Sequence, residues 1–398
     1  MSVTLSDVAH RAQVSPATVS RVLNGNYPVA EATRERVLRA VTELDYVVNG
    51  PASALAASTS DLVGILVNDI ADPFFGIMAS AAQARISAVA ARPGGEKLAV
   101  VCNTGGSPAR ELTYLTLLQR QRAAAVILTG GAIEDAEHSA AVAAKLAKLA
   151  AAGTRIVLCG RPPLDAGGGG GSGSWSSGSG VVGRGGVSGV PEAAPGGAVG
   201  VALGSELGSE AAASPVTATL SFDNRGGARA LTEHLLSLGH RRIGYVAGPA
   251  ERTTTRHRLE GHREALRAAR VTDDPALLLH GAYDRTSGVD AARRLLDAAP
   301  DLTAIVAAND TIALGVCTAA RARGLRVPED LSVAGFDDLP SATDTVPALT
   351  TVRLPLYEAG ARAGLLATTG EAAAGPDGVE TVPAQLVVRG STAAPRGR

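Results

Sequence analysis

From Leu62 onward, short and nearly continuous apolar runs alternate with stretches of helical periodicity, and the alternation runs twice along the chain. A strand with no polar face must be covered on both sides, so this pattern requires parallel sheets flanked by helices. The strand candidates are Leu62–Val67, Leu98–Cys102, Ala125–Leu128, Arg155–Leu158, Thr217–Phe222, Arg242–Val246, Ala304–Ala307 and Ser332–Phe336. Two rounds of alternation predict two doubly wound lobes rather than one very wide sheet. Residues 166–214 interrupt the pattern with glycine, serine, alanine and valine and no periodicity, which predicts a flexible insertion between the last two strands before the chain leaves the first lobe. Fragments of it, such as GSGSWSSG, imitate a dinucleotide-binding loop and do follow a strand. No helix follows them, and glycine runs match such patterns by chance.

The first 46 residues read differently, as three short helices. Thr4 is placed to cap a helix carrying Leu5, Val8, Ala9 and Ala12 at helical spacing, with Asp7 three residues after the cap. Gln13-Val14-Ser15 makes a turn. Ser15 then caps a second helix whose first residue, Pro16, has no N–H to leave unsatisfied. That helix runs through Val19, Val22 and Leu23 to Asn24-Gly25. A third begins near Ala30, with Val37, Leu38, Val41 and Leu44 expected on one face. The arrangement fits a helix-turn-helix, in which the second helix lies in the major groove. Its outward residues would be Ala17, Thr18, Ser20 and Arg21, with Arg21 suited to a bidentate guanine contact and the hydroxyls to phosphate. A trihelical bundle that merely packs has the same pattern.

Overall charge does not decide between these, because 37 basic residues balance 38 acidic ones and any DNA contact depends on local placement. Cys102, Cys159 and Cys317 are far apart in apolar runs, which argues for buried thiols in a reducing compartment rather than a disulfide framework. No metal-ligand spacing occurs among the three cysteines and seven histidines, and no cofactor motif is present. The N-terminus MSVTLSDVAHRAQ has no apolar signal core and no stretch approaches membrane-spanning length, so a soluble, cytoplasmic protein is expected.

The runs TLSDVAHRAQVSPATVSRVLNG and VAEATRERVLRAVTELDYVVN closely resemble the headpiece of the lactose-repressor (LacI) family. The resemblance continues through LVGILVNDIADPFF, RELTYLTLLQRQRAAAVIL, SFDNRGGARALTEHLLSLGHRRIGYVAGP, RLEGHREAL, AIVAANDTIALG, DLSVAGFDD and PALTTVRLP, everywhere but the glycine-rich insertion. It implies a three-helix headpiece over 1–46, a hinge over 47–60, and a two-lobed sensor and dimerisation domain over 61–398 like the periplasmic sugar-binding proteins. It adds Thr4, Ser15, Pro16 and Asn24 to the DNA-binding residues. It also assigns Leu55 as the hinge leucine that wedges into the minor groove of a palindromic operator. Two departures stand out: Val48 replaces a usual proline, and 47–60 carry no Lys or Arg, which predicts a shallow salt dependence.

In the sensor the resemblance implies a chain that crosses to the second lobe at Asp223-Asn224, returns around Arg353, and ends in a second-lobe strand, Ala384–Val388. It places Asp72, Phe74, Phe75, Arg258, Asn309 and Asp337 around a small effector, a sugar by the mixture of arginine, carboxylates, amide and aromatic rings. Plainer readings stand beside these. Asp310 reads better as a helix cap than as a ligand, Phe75 equally as core, and Arg258 alternatively as a surface ion-pair partner. Gly160 stands where family members often present a polar side chain. The expected function is a homodimeric, effector-controlled repressor. The alternatives are a solute-binding sensor without DNA binding and an enzyme, for which no nucleophile–base pair or phosphate loop is evident.

Overall fold

The structure, a computed structural model, describes residues 3–24, 28–46, 60–89, 97–163 and 217–396. The hinge assigned to 47–60, including Leu55 and Val48 but for Ser60, and the insertion at 166–214 lie outside the described residues.

The N-terminal unit contains α1 (Leu5–Ala12), α2 (Pro16–Asn24) and α3 (Glu31–Glu43). Thr4 and Asp7 form a reciprocal capping box, and Gln13 turns the chain with φ 54°. Ser15 Oγ accepts from Thr18 N at 3.1 Å and so caps α2. Val8, Ala9, Ala12, Val19, Val37 and Ala40 form the buried core. Leu38, placed on the core face by the sequence, is 44% exposed. The face that packs runs through Val37, Ala40, Val41 and Leu44, and Leu38 lies a full 100° step away from it.

The first lobe is a six-stranded parallel sheet in the order β11-β5-β4-β3-β1-β2. Its strands are β1 (Leu62–Val67), β2 (Leu98–Asn103), β3 (Ala125–Thr129), β4 (Arg155–Cys159), β5 (Ala218–Phe222) and β11 (Val379–Val382). Helix α4 (Pro73–Val89) covers one face and α5 (Pro108–Arg120) and α6 (Ala136–Ala151) the other. Val63 and Ile65 thus share a core with Met78 and Ile86, whereas Gly64 makes room for Leu118 of α5. After β5 the chain crosses into α7 (Asn224–Ser237), as expected.

The second lobe is a four-stranded parallel sheet, β7-β6-β8-β9, made of β6 (Ile243–Ala247), β7 (Leu278–His280), β8 (Ala304–Ala307) and β9 (Ser332–Ala334). One face carries α7 and α8 (Thr253–Ala268), the other α9 (Arg285–Ala298) and α10 (Asp310–Ala322). A short α11 (Ser341–Asp344) leads to β10 (Thr351–Arg353), which bridges β9 and pairs antiparallel with β12 (Gln385–Val387). Between these two, α12 (Leu356–Thr369) returns to the first lobe and packs on α4. The approach is close: a Cβ on Gly360 would stand 2.4 Å from the carbonyl oxygen of Met78.

All eight strands read from the sequence are present, although the one expected over Ser332–Phe336 ends at Ala334. β7, β10 and β11 were not foreseen: β7 and β11 are short, mostly half-buried strands, and the buried β10 carries a single apolar residue between Thr351 and Arg353, so none has a continuous apolar run. Cys102 and Cys159 are buried thiols, but Cys317 is only half-buried. Among the described residues no helix is long and apolar enough to cross a membrane.

Candidate functional site

A cavity of about 420 Å³ lies between the lobes at the carboxyl ends of their strands. Asp72, Phe74, Phe75, Arg258, Asn309 and Asp337, the six residues read from the sequence, all line it.

Arg258 is 2% exposed, so the surface ion-pair reading does not apply. Its Nε donates to Asn224 Oδ1 at 2.8 Å, its Nη1 to the Ala308 carbonyl at 2.5 Å, and its Nη2 to Asp337 Oδ1 at 2.7 Å. The guanidinium also lies 3.8 Å over the ring of Phe336. One side chain therefore ties the start of α7, the end of β8 and the loop after β9. Asp337 adopts φ 102°, a region costly for a residue with a side chain. Its backbone N–H, bonded to the Val352 carbonyl at 2.7 Å, and the ion pair to Arg258 hold it there.

The adjacent pair Asn309-Asp310 divides its work differently from the sequence reading. Asn309 is the cap of α10, its Oδ1 accepting from Ile312 N at 2.8 Å, while it also lines the cavity. Asp310, expected to cap, instead accepts from Leu339 N at 2.7 Å and Thr351 Oγ1 at 2.6 Å, pinning the β9–β10 connection. The helix needs only one cap, and Asn309 with its extended φ of −150° holds that position. Burial pushes the Asp310 carboxyl up to about 8, with the negative charge of Asp337 adding to the effect.

Asp72 leads into α4, its Oδ1 accepting from Phe74 N at 3.0 Å. Burial pushes its carboxyl up to about 6 against the lowering effect of that N–H, and the Asp337 charge pushes the same way as burial. Phe75 is 8% exposed and packs on Gly130, so it is core with an edge at the cavity. Phe74 stands edge-on to Phe75 at 5.0 Å and to Phe222 at 6.2 Å. Gly160 has φ 84°, and a Cβ there would sit 2.9 Å from the Phe222 ring. The edge of the Phe222 ring thus takes the space that a side chain at position 160 would need.

Other lining residues were missed. Among them, Phe222 ends β5 and Asn224 opens α7, while Arg252 precedes α8 and Tyr283 follows β7, three segments that only the folded sheets bring together. Asn224 had a usable signal, since it begins the helix after the crossover. Tyr283, bonded through its hydroxyl to Thr255 Oγ1 at 2.7 Å, had none.

The two walls of the cleft also touch directly. The segment after β3 pairs with the segment after β6: Thr253 N donates to the Ala132 carbonyl at 3.0 Å and Glu134 N to the Glu251 carbonyl at 2.7 Å. Arg252 reaches the carbonyl oxygens of Gly106 at 2.9 Å and Gly131 at 3.3 Å, and Arg256 pairs with Glu134 at 2.5 Å.

In the N-terminal unit, Ala17 and Arg21 are exposed on α2, with Thr18 and Ser20 half-buried beside them. Thr18 Oγ1 lies 2.9 Å from Ser15 Oγ, within the cap. Thr4 and Pro16 sit at the starts of α1 and α2. Asn24 ends α2.

A helix-turn-helix unit joined to a two-lobed α/β body with a polar interlobe cleft defines a ligand-responsive transcription regulator. Residues 4–49 match the family of bacterial regulatory proteins of the lacI type, and residues 232–392 match a periplasmic binding protein-like domain. The chain is 30% identical to the transcriptional regulator DegA of Bacillus subtilis over 98% of both chains. It is 32% identical to the regulator CelR of Thermobifida fusca over 88% of this chain and 87% of that one. Among solved structures it resembles the lac repressor dimer bound to operator and the anti-inducer ONPF, with TM-score 0.71 and 25% identity over 99% of this chain and 100% of that one. It also resembles a CelR–cellobiose complex, with TM-score 0.60 and 31% identity over 98% and 99%. The chain belongs to the lacI family and is a DNA-binding transcriptional regulator.

Proposed function

We propose that this regulator is a homodimeric repressor that holds a palindromic operator through its headpieces and responds to a sugar bound between its lobes. The headpiece spans 1–46, the hinge 47–60 and the sensor 61–398. Arg21 reads a base, Ala17 packs on the base edges, and Thr4, Ser15, Pro16, Thr18, Ser20 and Asn24 lie along the backbone, with Leu55 wedged at the operator centre. Two-fold protein symmetry matches two half-sites. The protein acts by binding rather than catalysis and works in the cytoplasm.

The observation that carries the sugar reading is the convergence, in one cleft of about 420 Å³, of the buried Arg258–Asp337 pair, Asn309, Asp72 and the Phe74 ring. Fixed donors and acceptors beside an aromatic face suit vicinal hydroxyls on an apolar ring face. A cellobiose complex of a similar regulator supports the class of ligand. The sugar binds one lobe arrangement better than the other and shifts the operator-competent population by that difference.

The test is footprinting on DNA upstream of the regulator's own gene and its neighbours, with and without a panel of mono- and disaccharides. A protected palindrome released by one sugar establishes induction. Protection that requires a sugar establishes corepression. Tight sugar binding with no protected DNA overturns the repressor reading.

A further inference from the structure

A second cavity, of about 550 Å³, lies in the second lobe between the sheet and α8, and shares no lining residue with the interlobe cleft. Its inner walls are apolar, with Ile243 from β6, Leu259 and Leu266 from α8, and Val271 and Leu277 from the loop that follows, while arginines, Thr272, Asp273 and Asp274 also line it. Two polar side chains line it from deep in the core, Tyr245 at 3% exposure and His262 at 2%, with their rings 4.6 Å apart.

The hydrogen-bond pattern fixes the tautomer of His262. Thr232 Oγ1 donates its single proton to the Ala228 carbonyl at 2.9 Å, so it must accept from His262 Nδ1 at 2.9 Å. Burial pushes the imidazole down to about 3, so the ring is neutral and Nε2 carries a bare lone pair. Among the described residues neither Nε2 nor the Tyr245 hydroxyl has a hydrogen-bond partner. Yet the only side-chain polar atom that is both sealed from solvent and unpartnered there is Arg161 Nε, in the other lobe. The two groups therefore open onto the cavity, one an acceptor and the other a donor. At the rim, Arg241 is bonded to backbone carbonyls and Arg242 to Asp274 and Asp301. Arg270 has no side-chain partner among the described residues and lines the same opening.

We infer that this cavity is a second small-molecule site, for a hydroxylated aromatic acid whose hydroxyl meets His262 Nε2 and Tyr245 and whose carboxylate meets Arg270. The hydroxyl donates to Nε2 and accepts from the Tyr245 O–H, satisfying two groups that a purely apolar ligand would bury unpaired. The apolar walls take the ring, and the carboxylate stays at the wet rim, where its desolvation costs least.

The test is calorimetric titration of the full-length protein with 4-hydroxybenzoate, benzoate and phenol. Saturable binding of 4-hydroxybenzoate is expected, with benzoate and phenol each weaker by about 5-fold or more for the hydrogen bond or ion contact they lack. Tyr245→Phe and Arg270→Gln should each weaken 4-hydroxybenzoate by a similar factor, while Asp72→Asn, in the interlobe cleft, leaves it unchanged. Should Tyr245→Phe fail to fold, Arg270→Gln on the surface still decides the matter. No saturable binding at millimolar 4-hydroxybenzoate overturns the assignment. So does binding that benzoate equals and Arg270→Gln leaves intact, or binding that Asp72→Asn abolishes.

Discussion

Arg258 donates three hydrogen bonds inside the protein, so its first duty is to hold Asp337 and Asn224 in place for a ligand. Replacing Asp337 with alanine strands a buried guanidinium and should cost about 3–5 kcal/mol of stability in urea unfolding, in addition to effector affinity. Asp72 supplies a pH signature. In the free protein its carboxyl is pushed up from 3.8 to about 6, so between those values the folded chain binds more protons than the unfolded one. Its contribution to stability therefore falls as pH rises through that window. A sugar hydroxyl that donates to the carboxylate favours the ionised form. Sugar affinity should then rise from pH 5 to pH 7, and Asp72→Asn should flatten the profile in titrations across that range. Arg258 was legible in the sequence because its spacing to Gly261 matches a family motif, whereas its burial and its grip on Asn224 were not. Likewise the sequence offered Asp310 as a cap, since Asn and Asp are nearly equal in that role. Only the fold, by bringing Thr351 and Leu339 within reach, decides that Asn309 caps instead.

Among elements, the strands with unbroken apolar runs were readable because burial on both faces demands that pattern, while the edge strands β7 and β11 need only half of it. The packing of α12 on α4 could not be read at all, because it brings together residues nearly 300 positions apart. Gly360 makes that contact possible. Gly360→Ala places a methyl group against the Met78 carbonyl and should cost about 1–3 kcal/mol, with a matching loss of melting temperature. In the headpiece, by contrast, the local signals were sufficient for the helices and their caps, although not for the facing of Leu38. Thr4 and Asp7 were read as a cap and its partner and form a full capping box. Thr4→Ala should destabilise the headpiece by about 1 kcal/mol and weaken operator binding without touching sugar affinity, as read by mobility shift and calorimetry.

For the whole molecule, the pairing of the segments after β3 and β6 across the cleft mouth has a bearing on timing. The lobes are bonded to one another at Ala132–Thr253, Glu134–Glu251 and Arg256–Glu134, and separate only when those bonds part. If the proposed ligand leaves through the opened cleft, lobe separation sets how long it is retained after the supply ends. Arg256→Ala and Arg252→Ala should raise the association and dissociation rates together in stopped-flow experiments and leave the equilibrium constant much less altered. A cell carrying such a variant would track the momentary sugar level. The intact clasp would then make the regulator average that level over the lifetime of the closed state, so that brief fluctuations pass without a change in transcription.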